Sequence, residues 1–102
     1  MTMIEQIPCV EIDEDLLDLV PGYLQNQRDS LPLLRQALAS GDLAVLRSAG
    51  HRLKGSASMY GFQRLGELGA ALELGEPGEL AGVLRQVEHY LEVVQVRGRP
   101  MT

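Results

Sequence analysis

From Asp13 almost to the C-terminus, apolar side chains recur at three- and four-residue spacing, and the breaks between runs are short stretches built on glycine, proline or serine. This pattern constrains the fold more than any other feature. Side chains at that period line one face of a helix. Convincing strand alternation is absent. Several amphipathic helices joined by very short turns pack most simply as antiparallel neighbours around one core. The expected fold is all-α: an antiparallel four-helix bundle with a short extra N-terminal helix.

The turn chemistry sets the expected boundaries. Asp13 to Val20 reads as a short helix whose acidic first turn suits the helix dipole. Pro21 either kinks it or opens the next helix, because proline is accepted in a first turn. The second run places Val20, Leu24, Leu31, Leu34 and Leu38 on one side. Pro32 should bend it, with Ser30 as a candidate cap for a fresh start. Gly41 ends it in a left-handed turn. Asp42 is the expected N-cap of the third helix, whose apolar stripe is Leu43, Leu46, Ala49/Gly50, Leu53, Ala57 and Tyr60, with Gly61 as its stop. The fourth helix carries Leu65, Leu68 and Leu72. Its Gly66 and Gly69 each cost about 1 kcal/mol relative to alanine, which predicts close approach to a neighbouring helix. After Glu76-Pro77-Gly78 the last helix shows Leu80, Val83, Leu84, Val87, Tyr90, Leu91 and Val94. Residues 1–12 are expected to be a flexible lead-in, 13–96 the bundle, and 97–102 a frayed tail.

At 102 residues, 45% of them hydrophobic, the chain supports one core and one domain. A formal net charge of −5 argues against nucleic-acid binding, which needs clustered Lys and Arg. Cys9 stands alone, so no internal disulfide is available. Met1 to Val10 contains Glu5 and Pro8 and no long apolar run, so neither a signal peptide nor a membrane span is expected. These readings favour a cytoplasmic protein.

The third helix carries the chemistry. On a helical wheel Arg47, Lys54, Gly55 and Ser58 fall within about 60° of His51, while the leucines fall on the other side. His51 therefore faces outward, with two cations and two small residues around it. Imidazole ordinarily titrates near pH 6.5, so its neutral form is an available nucleophile at about pH 7. Attack by a ring nitrogen on phosphorus would give a phosphohistidine. Lys54, one turn on, could neutralise the incoming oxygens, and Arg47, one turn back, could do so less closely. Gly55 removes a side chain that would obstruct an approaching protein. Ser56 is small and polar but points away from His51. Each feature alone is commonplace on a helix surface; the combination is not.

The string Gly50-His51-Arg52-Leu53-Lys54-Gly55-Ser56-Ala57, followed by Tyr60-Gly61-Phe62 and then Leu65, Leu68 and Leu72-Glu73, resembles the histidine-containing phosphotransfer (HPt) domains of bacterial multistep phosphorelays. Ala37-Leu38, Gly41-Asp42 and Leu46 match the approach to the histidine helix, and the resemblance spans roughly residues 13 to 95. It implies a four-helix bundle with an exposed histidine midway along one helix. It implies that His51 is phosphorylated, that Lys54 steadies the phosphoryl group, and that Gly55 leaves room for the partner, with Ser56 as the small residue that follows. Arg47 and Ser58 join Gly55 and Ser56 as expected partner-binding residues. The implied partners are receiver domains of response regulators, which bring the phosphorylated aspartate and Mg²⁺; a hybrid sensor histidine kinase is a further candidate. The domain itself is expected to be a monomer with no cofactor of its own. Pro21 and Pro32 depart from the family pattern ahead of the motif.

No glycine-rich nucleotide loop is present, so phosphorylation from ATP is not expected. His51, His89 and Cys9 lie on separate segments, so no metal site is expected. His89 reads as a boundary or surface histidine. The competing reading is a non-catalytic helical adaptor that docks a receiver domain through the same face.

Overall fold

A computed structural model describes residues 7–99. Four long helices form the bundle: α2 (Val20–Ser40), α3 (Leu43–Tyr60), α4 (Gln63–Leu74) and α5 (Leu80–Val93), preceded by the one-turn α1 (Glu14–Leu17). Each long helix packs on the next, and α5 closes the ring on α2. The all-α helical bundle expected from the apolar period is the observed architecture. Leu46, Phe62, Leu65, Leu72 and Leu80 are fully buried at its centre. Burial of each such side chain stabilises the fold by about 1.5–3 kcal/mol.

The turns are made as their residues dictate. Gly41 and Gly61 adopt φ of 73° and 97°, a region that side chains disfavour. Each ends a helix by donating its N–H back to that helix's last turn. The Asp42 carboxylate accepts from the Val45 N–H at 3.3 Å and caps α3. Pro21 opens α2 instead of kinking α1, since it stands in the first turn.

Pro32 does not start a new helix: α2 runs unbroken through it. Ser30 is not a cap either. Its hydroxyl donates to the Gln27 carbonyl at 2.7 Å, a back-bond within the same helix. Packing accounts for the continuity, because Leu31 and Leu34 on either side of Pro32 are buried, and Arg28 anchors α2 by donating twice to the Leu91 carbonyl of α5.

The two ends of the chain depart most from expectation. Part of the lead-in is strand β1 (Cys9–Ile12), and part of the expected tail is strand β2 (Gln95–Gly98). They pair in parallel, Cys9 opposite Gln95 and Ile12 opposite Gly98. Ile12 is fully buried and belongs to the bundle core. Ion pairs Arg97–Glu11 at 2.7 Å and Arg99–Asp13 at 3.5 Å hold the ribbon from outside. Neither four-residue segment can form a ladder alone. Residues 1–6 and 100–102, also placed in the lead-in and tail, lie outside the described residues.

Among the described residues, no helix is long and apolar enough to cross a membrane.

Candidate functional site

The α3–α4 contact builds the site. A Cβ on Gly50 would lie 2.6 Å from both the Glu73 N and the Gly69 O; one on Gly69 would lie 2.6 Å from the Lys54 N. The two backbones therefore touch, and only glycines allow it. The close approach predicted from the α4 glycines is real, though it rests on Gly69 more than on Gly66, where a Cβ would meet the Ser58 hydroxyl at 3.3 Å. Gly50, read as part of the apolar stripe, is the other half of the crossing.

That crossing carries Glu73 up to the outward face of α3. Glu73 Oε2 lies 2.6 Å from His51 Nδ1, and Glu73 Oε1 accepts from Lys54 Nζ at 2.7 Å. The ammonium of Lys54, and then the imidazole, hold the Glu73 carboxyl below its usual range, against the opposing effect of burial. Glu73 is thus ionised at neutral pH and can only accept. The proton between Glu73 and His51 must then reside on Nδ1, which leaves the lone pair of a neutral imidazole on Nε2. The His51 side chain is 68% exposed, against 20% for Glu73, and Nε2 has no hydrogen-bond partner among the described residues. The arrangement is a nucleophilic nitrogen facing solvent, with its tautomer fixed from behind and an ammonium at its flank.

The other predicted residues separate into two groups. Gly55 is exposed, and nothing lies within 4 Å of where its Cβ would be. It serves no packing contact, so the bare helix surface beside His51 is its structural consequence. Ser58 is exposed, its hydroxyl donating to the Lys54 carbonyl at 2.8 Å. Arg47 and Ser56 are occupied elsewhere. Arg47 Nη1 donates to the Leu72 carbonyl at 3.2 Å and the Gly75 carbonyl at 2.6 Å, so it satisfies the open C-terminal end of α4 and not an incoming anion. The Ser56 hydroxyl shares a 2.7 Å hydrogen bond with Tyr23 of α2. Tyr23 stacks on Tyr60 with ring centroids 4.4 Å apart. These two residues fix α3 against its neighbours, and through it the direction of His51.

Glu73 is the member of this cluster that sequence reasoning missed, although Leu72-Glu73 belongs to the string that carries the resemblance. The available signal was a spacing. Glu73 stands one turn beyond Gly69, so a Gly50–Gly69 crossing sets it near His51 and Lys54.

A bundle that presents one exposed, oriented imidazole beside a lysine and a bare glycine defines a class of histidine-bearing helical modules. The Hpt domain family model matches residues 18–97, and the chain belongs to that family, whose members perform histidine phosphotransfer in phosphorelays. No curated protein and no solved structure matches the chain.

Proposed function

We propose that His51 is the phosphoryl carrier, accepting the group from the phosphoaspartate of one response-regulator receiver domain and passing it to the aspartate of another. The observation that carries this reading is the Nδ1–Glu73 contact, which leaves Nε2 as the exposed nucleophile. The Nε2 lone pair attacks phosphorus, the bond from phosphorus to the aspartyl oxygen breaks, and its electron pair leaves with the carboxylate. The positive charge that develops on the ring is balanced by the Glu73 carboxylate, which accepts the Nδ1–H hydrogen bond throughout. In the onward step a second aspartate attacks, the N–P bond breaks, and its electrons return to Nε2. No proton need enter or leave in either direction. Lys54 is placed to meet the phosphoryl oxygens. Mg²⁺ belongs to the receiver and neutralises charge on its side of the transfer. The carrier acts as a monomer in the bacterial cytoplasm, and a hybrid sensor histidine kinase is the natural source of the first receiver.

The test is to mix the chain with a phosphorylated receiver and Mg²⁺ and map the transferred phosphate. Acid-labile, base-stable label on the peptide containing His51 is expected. Label on any other residue, or none from any receiver tried, would sink the proposal, and receiver binding without label would make the chain an adaptor.

Two further outcomes follow from the geometry. Gly55→Leu should fold at least as stably as the parent, since leucine gains about 1 kcal/mol over glycine in a helix and meets no neighbour. Its side chain would stand where a receiver must approach, so transfer should slow at least about tenfold, an obstruction of roughly 1.4 kcal/mol. An unchanged rate would remove Gly55 from the docking face. For Glu73 the sign is set by its lowered pKa. The ionised form is favoured by folding, so its contribution is present above the ordinary carboxylate pKa and is lost as pH falls through the lowered value. Fold stability should decline over that acid range. Glu73→Gln should lower the transfer rate at neutral pH about tenfold, the worth of one charge-assisted hydrogen bond, and reduce this acid-side loss of stability. Urea unfolding against pH measures this, and a variant that kept the parent's stability profile would show that another group titrates.

A further inference from the structure

A cavity of about 940 Å³ lies between α4, α5 and residues 7–9. It shares no lining residue with the His51 cluster. Arg64 on its wall and Glu73 at the phosphoryl site are nine residues apart on α4, roughly 180° around the helix, so the two sites use opposite faces. Along α5 the wall is made by Gly82, Arg85 and His89, and its most buried lining residues are Leu68 and Tyr90, 3% and 5% exposed.

Several observations point to what would fit there. The lining described includes two arginines and no carboxylate, in a chain whose net charge is −5. Arg64 reaches Gln86 at 2.9 Å and Glu67 at 3.3 Å, whereas Arg85 has no ion pair or hydrogen bond among the described residues. Gly82 lies in the first turn of α5, and a Cβ there would meet only the Arg85 guanidinium at 3.9 Å. As at Gly55, the missing side chain answers to no packing contact; here its absence keeps a cavity wall open. The Tyr90 hydroxyl, although Tyr90 is nearly buried, makes no hydrogen bond within the described residues. The volume falls in the range of small-molecule sites, which are mostly apolar with a few placed polar groups.

We propose that this cavity binds an amphiphilic organic anion, of which a medium-chain carboxylate is the simplest form. The carboxylate pairs with the Arg85 guanidinium, which matches its two oxygens, with Arg64 adding charge nearby. The hydrocarbon chain lies along Leu68 and Val93. This site is independent of the phosphoryl chemistry at His51.

The test is a titration of the intact ¹⁵N-labelled chain with sodium decanoate below its micellar concentration, with decanol as the uncharged counterpart. Saturable amide shifts are expected at Leu68, Gly82, Arg85 and Tyr90, with His51, Lys54 and Glu73 unmoved. Arg85→Gln should weaken decanoate about tenfold, and decanol should be weaker than decanoate by a similar factor, as one charge-assisted pair predicts. Gly82→Leu should remove binding by filling the space. Circular dichroism verifies that each variant is folded; should Gly82→Leu fail to fold, the exposed Arg85→Gln still decides. Absence of saturable shifts, equal affinity for decanol, or binding undiminished by Arg85→Gln would overturn the proposal.

Discussion

His51→Gln is expected to carry no phosphate from any receiver while unfolding within about 0.5 kcal/mol of the parent. The two halves of this expectation have separate causes. Glutamine has no nucleophilic ring nitrogen, and the amide nitrogen that replaces it has its lone pair delocalised. The loss of rate should therefore exceed about 10³-fold, the scale on which removal of a nucleophile acts. Stability is spared because the His51 side chain is 68% exposed and lies outside the buried cluster. The contact altered is a surface one, of little weight for stability, and the glutamine amide can still donate to Glu73. Phosphotransfer followed by gel autoradiography, together with urea unfolding of the same preparations, measures both. A variant that still accepts label would displace the chemistry from His51. One that unfolds much more easily would mean that the imidazole is a structural member of the α3–α4 contact. Arg47→Ala offers the reverse pattern for comparison: it strips the Leu72 and Gly75 carbonyls of their donor, so its first effect should be on stability.

The site was legible in the sequence to the extent that it lies on one helix. The orientation of His51, the flank position of Lys54 and the openness at Gly55 depend only on spacing along α3, and helical geometry supplies that spacing without knowledge of the fold. Arg47 shares the same sector of the wheel, yet its length lets it reach across to the end of α4, and a wheel holds no information about what a neighbouring helix offers. Glu73 was hidden for the same reason. Its partnership with His51 and Lys54 exists only through the register of α4 on α3, which two glycines 19 positions apart determine jointly. The fold divides in the same way. Helices with strong local periods and glycine stops were readable, whereas the β1–β2 ribbon joins residues more than eighty positions apart and leaves four-residue traces too short to outweigh the helical pattern around them. Ser30 is the opposite failure: a local signal for a fresh helix start ahead of Pro32, overridden where the buried Leu31 and Leu34 hold α2 in one run.

Gly69→Ala should be the most damaging single methyl that can be added to this chain's α4. Alanine is favoured over glycine by about 1 kcal/mol in a helix, so by propensity alone the change would stabilise. The added carbon, however, would lie 2.6 Å from the Lys54 N, 2.9 Å from the Gly50 O and 3.1 Å from the Leu53 C. All three are backbone atoms, and no rotamer change can move them aside. The helices must part, at a cost of about 1–3 kcal/mol for overpacking beyond the propensity gain. In a domain of this size each kcal/mol lowers the thermal midpoint by about 4–8 °C, and a scanning calorimeter resolves that readily. Gly66→Ala is the matched control on the same helix. There the nearest atom is the Ser58 Oγ at 3.3 Å, a side-chain hydroxyl that can swing away, so that variant should be neutral or slightly stabilised. The functional consequence follows from the same displacement. Glu73 reaches His51 and Lys54 at 2.6 and 2.7 Å only while α4 rests against α3, and a separation of about an ångström takes both contacts past hydrogen-bonding range. Gly69→Ala should therefore transfer phosphate more slowly even at temperatures where it is fully folded. Parent-like stability in Gly69→Ala would mean that α3 and α4 do not meet backbone to backbone, and a parent-like rate in a destabilised variant would separate the close crossing from the orientation of His51.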